Sequence, residues 1–353
     1  MKILYLAPNR LKNVGTHLTT RDVVADLQNK GYFIDIKLLK DDYRGLFYPI
    51  VALYEAIQIF FASRKYSSVI LFSELFATSV LFVLKKSIIV LHQLPPDLEK
   101  RDSNGKFSIN SLFRYYYNKL ILLFCRKCRY IVSTTEFTKQ DYAQKYHQQI
   151  EKIKVIYNPI DNKKFKKNNI NKPNFLEKFQ VSYKENRFYL LYVGSEHFRK
   201  NFMLLLRALK FLDSNKYYLI KIGKAPDSCS RKIHEEFARN NNLKVKFIDY
   251  VNDDDLVGFY NVCDVYINPS LFEGFGRTPI EAQFCGLPVI STNCAALKEV
   301  LADSTLILKN PNSELELKEA IEKMMKSTCT KNYYIDKGYK NAARFSLDRQ
   351  VEK

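Results

Sequence analysis

Hydrophobic residues in this chain fall into short continuous runs, and the stretches between the runs have the spacing of amphipathic helices. Short apolar runs that are bounded by turn residues are typical of strands buried on both faces of a parallel sheet. The order strand, helix, strand predicts an α/β fold in which helices cover parallel sheets. In the first half, strands are predicted at residues 2–7, 32–38, 67–72, 87–91, 130–133 and 154–157.

The pattern stops at residues 163–186, which are rich in lysine and asparagine and have the composition of a connection between domains. A chain of 353 residues is long enough for two domains of ordinary size. We therefore predict two Rossmann-like domains, residues 1–160 and 161–334. Strands of the second half are predicted at residues 188–193, 217–222, 244–248, 264–267, 288–291 and 305–308.

Two predicted helices of the first half have alternative explanations. Residues 46–63 are apolar except for Glu55 and are followed by Arg64 and Lys65. That helix either packs in the first domain or lies at a membrane interface, with its cationic end at the headgroups. In residues 111–129, basic and aromatic side chains are mixed. This composition fits an anionic membrane surface, single-stranded nucleic acid, or core packing with the cations extended towards solvent.

The formal net charge is +19, and the excess of Lys and Arg is spread over both halves. Such a charge is typical of proteins that bind nucleic acid, an anionic membrane or an acidic substrate, but base bias of the genome produces the same composition. No stretch reaches the ~18 uncharged apolar residues of a membrane span, and the N-terminus reads as a strand without a cationic leader. We expect a cytoplasmic protein, with peripheral attachment to the inner face of the membrane as the membrane-bound alternative.

Seven cysteines are scattered along the chain, and only Cys125 and Cys128 have the spacing C-x-x-C. A structural zinc site needs two further ligands, and neither a second pair nor nearby histidines supply them. We interpret the cysteines as thiols in a reducing compartment and predict no metal site.

The densest group of candidate functional residues lies in residues 268–289, which read N-P-S-L-F-E-G-F-G-R-T-P-I-E-A-Q-F-C-G-L-P-V. The loop in this stretch leads from a predicted strand into the N-terminus of a predicted helix. Glycines let a backbone turn sharply and bring N–H groups close to a ligand, and a helix N-terminus favours an anion. The candidate residues are Glu273, Gly274, Phe275, Gly276 and Glu281.

Both acids of this stretch also have a structural explanation. Thr278 and Glu281 have the spacing of a capping box, in which Thr278 is the N-cap of the helix. Taken alone, Glu273 fits a solvated acid in a glycine loop.

Two cations precede the first predicted helix of the second half, residues 202–212. Arg199 and Lys200 oppose the helix macrodipole, which favours anions at this end. Their position is explained by a phosphate bound between them and the helix, and a solvated surface pair is the alternative. Gly194 and Gly223 end two predicted strands, at the edge of the sheet where open α/β folds bind ligands.

The string E-G-F-G-R-T-P-I-E-A closely resembles the signature of the retaining glycosyltransferases of family 4, and the order of elements is similar along nearly the whole chain. Those enzymes have the GT-B fold, in which two Rossmann-like domains have parallel sheets that face each other across a cleft. The resemblance implies that the first domain binds the acceptor and the second binds a nucleotide sugar. It also implies that a terminal helix, at about residues 335–353, packs back on the first domain.

The resemblance further implies roles for single residues. Glu273 lies near the reacting sugar and forms the catalytic set with His92 and Lys200. The glycine loop binds the sugar and the diphosphate, the cations neutralise the diphosphate, and Glu281 holds the ribose hydroxyls. The implied donor-binding residues are Gly194, Arg199, Lys200, Gly223, Gly274, Phe275, Gly276 and Glu281.

Two acceptor-side assignments rest on a looser match. His92 directly follows the strand at residues 87–91, where relatives often have a histidine that faces the sugar, and a hydrogen-bonded loop histidine is the alternative. Relatives often have two adjacent glycines in the first loop, whereas this chain has Gly15 followed by Thr16. We assign both residues to the acceptor side.

The implied reaction is transfer of a sugar from a nucleoside-diphosphate sugar to a glycan or lipid-linked acceptor, with retention of configuration and without a metal or other cofactor. Asp253, Asp254 and Asp255 open a predicted helix and fit capping rather than a metal site. An anionic membrane surface is a further predicted partner. One rival is a non-catalytic protein that holds a nucleotide or glycan. The other is a polyanion-binding protein, but no nucleic-acid-binding module is recognisable and we expect no nucleic acid partner.

Overall fold

The computed structural model describes residues 2–8, 24–25, 27–39, 48–71, 80, 82–92, 94, 116, 119–120 and 122–351. Contacts between residues divide the chain into two compact units. The first unit comprises Met1–Pro159 and Leu347–Lys353, and the second comprises Ile160–Ser346.

The first unit contains a six-stranded parallel sheet, and each strand predicted for this half is present with small differences at its ends. The strands are Lys2–Pro8 (β1), Phe33–Leu39 (β2), Ser68–Leu71 (β3), Ser87–Leu91 (β4), Tyr130–Ser133 (β5) and Ile153–Val155 (β6). Their order in the sheet is β2-β1-β3-β4-β5-β6. Parallel neighbours need crossover connections that cover the faces of the sheet, which explains why these strands are apolar runs.

The second unit repeats this architecture with another six-stranded parallel sheet. The strands are Phe188–Val193 (β7), Tyr217–Ile222 (β8), Val245–Ile248 (β9), Val265–Asn268 (β10), Val289–Thr292 (β11) and Leu306–Leu308 (β12). Their order is β12-β11-β10-β7-β8-β9. The predicted α/β class with two Rossmann-like sheets is therefore confirmed.

Helices connect the strands in both units. The described α-helices are Tyr48–Ala62 (α1), Glu136–Tyr146 (α2), Lys172–Lys178 (α3), Phe202–Leu209 (α4), Ser228–Asn240 (α5), Asp253–Val262 (α6), Arg277–Phe284 (α7), Leu297–Leu301 (α8), Glu314–Lys326 (α9), Thr328–Ala342 (α10) and Leu347–Val351 (α11). Described 3-10 turns are Ser63–Lys65, Leu84–Lys86, Cys125–Lys127, Ile150–Lys152, Phe198–Lys200 and Ala343–Phe345.

Each unit has its own hydrophobic core. In the first unit, one face of the sheet packs against helices through Leu6, Ile59, Val69, Ile131 and Tyr142. In the second unit, the main core joins β7, β10 and β11 to α4 and α9, and it includes Leu190, Leu205, Ile267, Ile290 and Ile321.

The segment expected to connect the domains belongs to the second unit. It contains α3, whose Phe175 ring packs edge-on against Phe259 of α6 with the ring centroids 5.0 Å apart. These aromatic residues explain how a stretch with few apolar residues packs against α6.

By its contacts, the C-terminal segment Leu347–Lys353 groups with the first unit, whereas α10 groups with the second. The end of α10 is tied to the second unit by Asn341, whose Nδ2 donates to Gln283 Oε1 at 2.9 Å and to the Val300 carbonyl at 3.0 Å. The buried Asn341 amide therefore holds the end of α10 in the second unit.

Candidate functional site

The loop between β10 and α7 has the predicted glycine-dependent shape. Helix α7 begins directly after Gly276, whose φ of +87° favours glycine. A Cβ at Gly276 would lie 2.6 Å from the Leu297 side chain, so the position also lacks room for a larger residue. The backbone of this loop therefore depends on glycine for its conformation and for its close packing.

The capping-box interpretation of Thr278 and Glu281 is wrong. Thr278 lies inside the first turn of α7, and its hydroxyl oxygen accepts a hydrogen bond from the Tyr266 hydroxyl at 2.7 Å. Glu281 is buried, and its oxygens accept from Arg277 Nε at 2.9 Å and from the Tyr260 hydroxyl at 3.0 Å. Glu281 is thus a fixed internal carboxylate and not a helix cap.

Glu273 lies in a buried ion-pair network and is not a solvated loop acid. Lys200 Nζ contacts its Oε1, and Arg199 Nη1 lies 3.3 Å from its Oε2. The Ser270 hydroxyl also donates to Oε1 at 2.9 Å. Burial raises the pKa of Glu273, but the charges of Lys200 and Arg199 and these hydrogen bonds outweigh burial and hold its pKa below the usual value.

The fold explains how residues so distant in the chain meet. Strand β7 pairs with β10, so the loops that follow these strands start at the same edge of the sheet. Arg199 and Lys200 lie in the turn after β7, and the Arg199 carbonyl accepts from the Leu271 N–H at 2.8 Å. Arg199 Nη1 also donates to the Phe272 carbonyl at 3.1 Å. The two cations are therefore held against the loop that carries Glu273 and are not a solvated surface pair.

Gly194 and Gly223 allow the ends of β7 and β8 to approach closely. The Gly194 N–H donates to the Ile222 carbonyl at 2.8 Å, and Gly223 has a φ of +128°. A Cβ at Gly223 would lie 2.8 Å from the carbonyl carbon of Gly194 and closer still to its oxygen. The close approach of the two strand ends therefore requires glycine at residue 223.

Family models match both parts of the chain. A model described as glycosyl transferases group 1 matches residues 174–341, and one described as glycosyltransferase family 4 matches residues 40–164. The chain belongs to this family of glycosyltransferases.

Curated relatives of this family member include two proteins named as mannosyltransferases. The O-antigen chain mannosyltransferase RfbU of Salmonella typhimurium is 28% identical over 211 residues, which are 59% of this chain and 54% of the relative. The O-antigen chain mannosyltransferase B of Escherichia coli is 29% identical over 178 residues, 49% of this chain and 45% of the relative. The chain spans about half the length of these relatives.

The fold of the family member matches a solved structure along its whole length. The crystal structure of Anabaena Alr3699/HepE in complex with UDP and glucose has a TM-score of 0.81 and 17% identity, and covers 100% of this chain and 97% of that chain. This similarity establishes the GT-B fold that the sequence predicted.

Phe275, in the glycine loop of the family motif, is buried and packs edge-on against Phe345 with the ring centroids 5.3 Å apart. Its aromatic ring therefore anchors the loop inside the second unit. Its role in donor binding stays a prediction.

A buried charged cluster beside this site was not anticipated from the sequence. The side chains of Glu196 and Lys221 are fully buried and lie 2.6 Å apart. Arg231 Nη2 lies 2.6 Å from the same Glu196 oxygen, and His234 Nδ1 lies 2.7 Å from the other. Burial raises the pKa of Glu196, but these hydrogen bonds outweigh burial and lower it to about 2. The available signal was Lys221, a cation within an otherwise apolar strand.

The cluster fixes the loop that carries the two cations. Glu196 lies between Gly194 and the turn Phe198–Lys200, and it ties this loop to β8 through Lys221 and to α5 through Arg231 and His234. Arg231 Nη2 also donates to the Gly223 carbonyl at 3.2 Å. The cations of the site are thus held in position by ionic contacts in the interior.

The remaining assigned residues belong to the first unit. His92 directly follows β4 at the carboxyl end of the strand, where it is partly buried and its carbonyl accepts from the Thr134 hydroxyl at 3.3 Å. Its role in catalysis stays a prediction. Gly15 and Thr16 lie outside the described residues.

The acidic run at residues 253–255 forms the first turn of α6, as interpreted from the sequence. The Asn252 side chain caps this helix by accepting from the Asp255 N–H at 2.7 Å, and Asp253 pairs with Lys164. Within the described part of the chain, no group of three or more His, Cys, Asp or Glu side chains is arranged to hold a metal ion. None of the described helices is long and apolar enough to cross a membrane.

Proposed function

We propose that the protein is a glycosyltransferase that moves a hexosyl group from a nucleoside-diphosphate sugar to a hydroxyl group of a glycan or lipid-linked acceptor. We further propose that the reaction retains the anomeric configuration and needs no divalent metal. The observation that carries the proposal is the convergence of Arg199 and Lys200 on Glu273 at the carboxyl ends of β7 and β10.

The two cations suit the leaving group of this reaction. When the bond between the anomeric carbon and the diphosphate breaks, negative charge grows on the diphosphate oxygens. The Arg199 guanidinium and the Lys200 ammonium are fixed near this edge before a donor arrives, so they stabilise that charge without reorganisation. The cations of the protein would neutralise the charge of the leaving diphosphate, as a bound metal ion does in other transferases. The acceptor oxygen forms the new bond to the anomeric carbon as the bond to the diphosphate breaks, and its proton passes to an oxygen of the departing diphosphate.

Glu273 suits charge stabilisation better than nucleophilic attack. Both of its oxygens are engaged by Lys200, Ser270 and Arg199, and its pKa is held below the usual value. A carboxylate in this state stays ionised but is a weak nucleophile. We therefore assign it to positioning the sugar and stabilising the positive charge of the sugar ring in the transition state.

Glu281 suits recognition of the ribose. Its carboxylate is held by Arg277 and Tyr260, one contact on each oxygen. An ionised carboxylate has about four lone-pair sites, so two remain for hydroxyl donors. A pair of neighbouring ribose hydroxyls fits this requirement.

The identity of the sugar is the finer part of the proposal. The names of the two O-antigen relatives make mannose the first sugar to test. The complex of Anabaena HepE with UDP and glucose makes a uridine nucleotide and glucose the second. The first unit, with His92, is proposed to bind the acceptor, and a lipid-linked acceptor would place the enzyme at the inner face of an anionic membrane.

A thermal-shift screen in EDTA against UDP, GDP, ADP and their hexosyl derivatives tests the donor site. A ligand that binds only the folded state stabilises it by about 2.7 kcal/mol at ~100 times its dissociation constant. We expect one diphosphate to raise Tm in the wild type and in the control Lys216→Ala, but much less in Lys200→Ala. Folded protein that responds to none of them would contradict donor binding. A Tm shift without turnover would favour a non-catalytic binding protein.

A further inference from the structure

The outer side of helix α1 is apolar, whereas the outer side of a surface helix normally carries polar residues. Ala56 and Ile59 are buried and pack into the first unit. The spacing of the exposed residues places them together on one side of the helix, away from those two. Their exposed fractions range from 37% to 61%, and they are Leu53, Tyr54, Ile57, Phe60 and Phe61.

This apolar strip continues onto the next part of the chain. The exposed Phe82 ring lies with its centroid 6.3 Å from that of Phe60. The turn Leu84–Lys86 is held against the end of α1 because Lys86 Nζ donates to the Ser63 carbonyl at 2.6 Å. The strip therefore ends at the amino edge of the first sheet, where β3 and β4 begin.

Cations are concentrated at this end of the strip, where Asp35 accepts a hydrogen bond from the Tyr66 hydroxyl at 2.6 Å. The Arg129 N–H donates to the Leu84 carbonyl at 3.1 Å and to the Ser87 carbonyl at 3.0 Å, which brings the turn Cys125–Lys127 beside the turn Leu84–Lys86. Residues 60–71, 82–92 and 122–135 contain no Asp or Glu. Their cations at this edge are Arg64, Lys65, Lys85, Lys86, Arg126, Lys127 and Arg129.

Charged groups and exposed rings lie side by side on this surface. The Arg64 guanidinium lies 5.0 Å from the centroid of the Phe61 ring, and Lys127 Nζ lies 5.9 Å from that of Phe124. Phe124 is itself 37% exposed. We call the exposed residues of α1, Phe82, Phe124 and the seven cations the basic-aromatic face.

We propose that the basic-aromatic face docks on the surface of an anionic lipid bilayer. The apolar side chains of α1 enter the boundary between headgroups and acyl chains, and the cations bind lipid phosphates. An anionic bilayer accounts for both the apolar side chains and the cations of this face. Nucleic acid would use the cations and some rings but would leave Leu53 and Ile57 in water. A symmetric contact with a second copy would bring the seven cations of one copy close to the same seven cations of the other, and the two sets would repel each other.

Vesicle co-sedimentation tests the charge component. We expect the protein to bind phosphatidylcholine vesicles that contain phosphatidylglycerol, to bind pure phosphatidylcholine far less, and to dissociate as salt is raised. Each cation near an anionic leaflet is worth about 1 kcal/mol, or about fivefold in partition. The triple variant Lys65→Glu/Arg126→Glu/Lys127→Glu should therefore bind at least ~100-fold more weakly.

The matched control for net charge is Lys216→Glu/Lys232→Glu/Lys340→Glu, which changes three exposed lysines of the second unit. We expect it to keep nearly all vesicle binding. Equal loss in the two triple variants would contradict a defined docking face, because only the overall charge would then matter.

Insertion of the apolar strip has its own readout, because the chain contains no tryptophan. Phe61→Trp introduces a single tryptophan, which can be excited at wavelengths that tyrosine does not absorb. Its emission should shift to the blue, and be quenched by brominated lipid, when anionic vesicles are added. Phe211→Trp, at an exposed phenylalanine of the second unit, should show neither change. Tyr54→Gln/Phe61→Gln should weaken vesicle binding.

Three outcomes would overturn the proposal. The first is vesicle binding that Tyr54→Gln/Phe61→Gln leaves unchanged. The second is binding of a single-stranded oligonucleotide in preference to anionic vesicles. The third is a concentration-dependent dimer that Tyr54→Gln/Phe61→Gln abolishes, in protein that binds no vesicles. None of these assays requires transferase activity, so failure of the proposed reaction and failure of membrane docking remain distinguishable.

Discussion

Lys200 and Glu273 form an ion pair across 73 positions of the chain, between the loops that follow β7 and β10. Arg199 reaches the other oxygen of the same carboxylate at 3.3 Å. Under the proposed function, a donor diphosphate would meet cations whose positions are already fixed by a buried acid. We regard this preorganised pair as the centre of the site.

Replacement of Lys200 by alanine should lower turnover by at least ~10²-fold, by analogy with the loss of one donor that stabilises developing charge. The expected effect is on the transfer step, because the ammonium group meets charge that grows as the leaving group departs. Release of nucleoside diphosphate under saturating donor measures it. Lys216→Ala is the control on the same unit, and near-normal turnover in Lys200→Ala would remove Lys200 from the mechanism.

Replacement of Glu281 by alanine should raise the KM for the donor more than it lowers kcat. The proposed contacts to the ribose are far from the bond that breaks, so they stabilise the ground state and the transition state alike. Steady-state kinetics with varied donor separates the two parameters. Tyr260→Phe removes one partner of Glu281 but keeps the carboxylate, and its effect should be smaller. A fall in kcat with unchanged KM in Glu281→Ala would contradict the ribose assignment.

Replacement of Gly223 by alanine should destabilise the protein more than replacement of Gly31. Both residues have a positive φ, which strains any other residue by about 1–3 kcal/mol. A Cβ at Gly223 also collides with the Gly194 backbone, whereas a Cβ at Gly31 meets nothing within 4 Å. Urea titration of the two variants compares the free energies of unfolding. Equal losses would show that the close approach of the two strand ends is unimportant.

Replacement of Glu196 by glutamine should cost about 3–5 kcal/mol of stability at neutral pH, because it leaves the buried Lys221 ammonium without its carboxylate. Glu196→Gln/Lys221→Met removes both charges and should recover part of the loss. Urea titrations measure both effects, and an unchanged stability of Glu196→Gln would contradict the role of the cluster.

The same variant predicts a pH dependence. The pKa of Glu196 is about 2 in the folded protein, against an ordinary value of 4.5. Its ionised form therefore stabilises the fold fully above pH 4.5, and this contribution is lost as the pH falls towards 2. The difference in unfolding free energy between the wild type and Glu196→Gln should shrink over that interval. A constant difference would contradict the low pKa.

The strands and the family motif could be read from the sequence because both are local. Buried parallel strands are apolar runs, and Glu273, Gly276 and Glu281 lie within one short stretch. The capping box at Thr278 was also a local signal, but a tertiary contact overrode it, since the Tyr266 hydroxyl from the neighbouring strand engages Thr278. Local spacing alone does not reveal such a partner.

Two other features could be identified only from the structure. Lys221 is visible as a cation in an apolar strand, yet its partner Glu196 lies in a separate loop, and only the β7–β8 pairing brings the two together. Helix α1 is apolar on several sides, so periodicity could not decide which side is buried. The structure shows that Ile59 faces the core while Phe61 faces outward.

The most direct test of the central claim is NMR of the transfer product formed in EDTA from an α-linked nucleoside-diphosphate hexose. The account predicts a new glycoside with the α configuration, formed without metal by the wild type and at least ~10²-fold more slowly by Lys200→Ala. A β-linked product, or transfer that requires an added divalent metal, would contradict the proposed role of the Lys200–Glu273 centre.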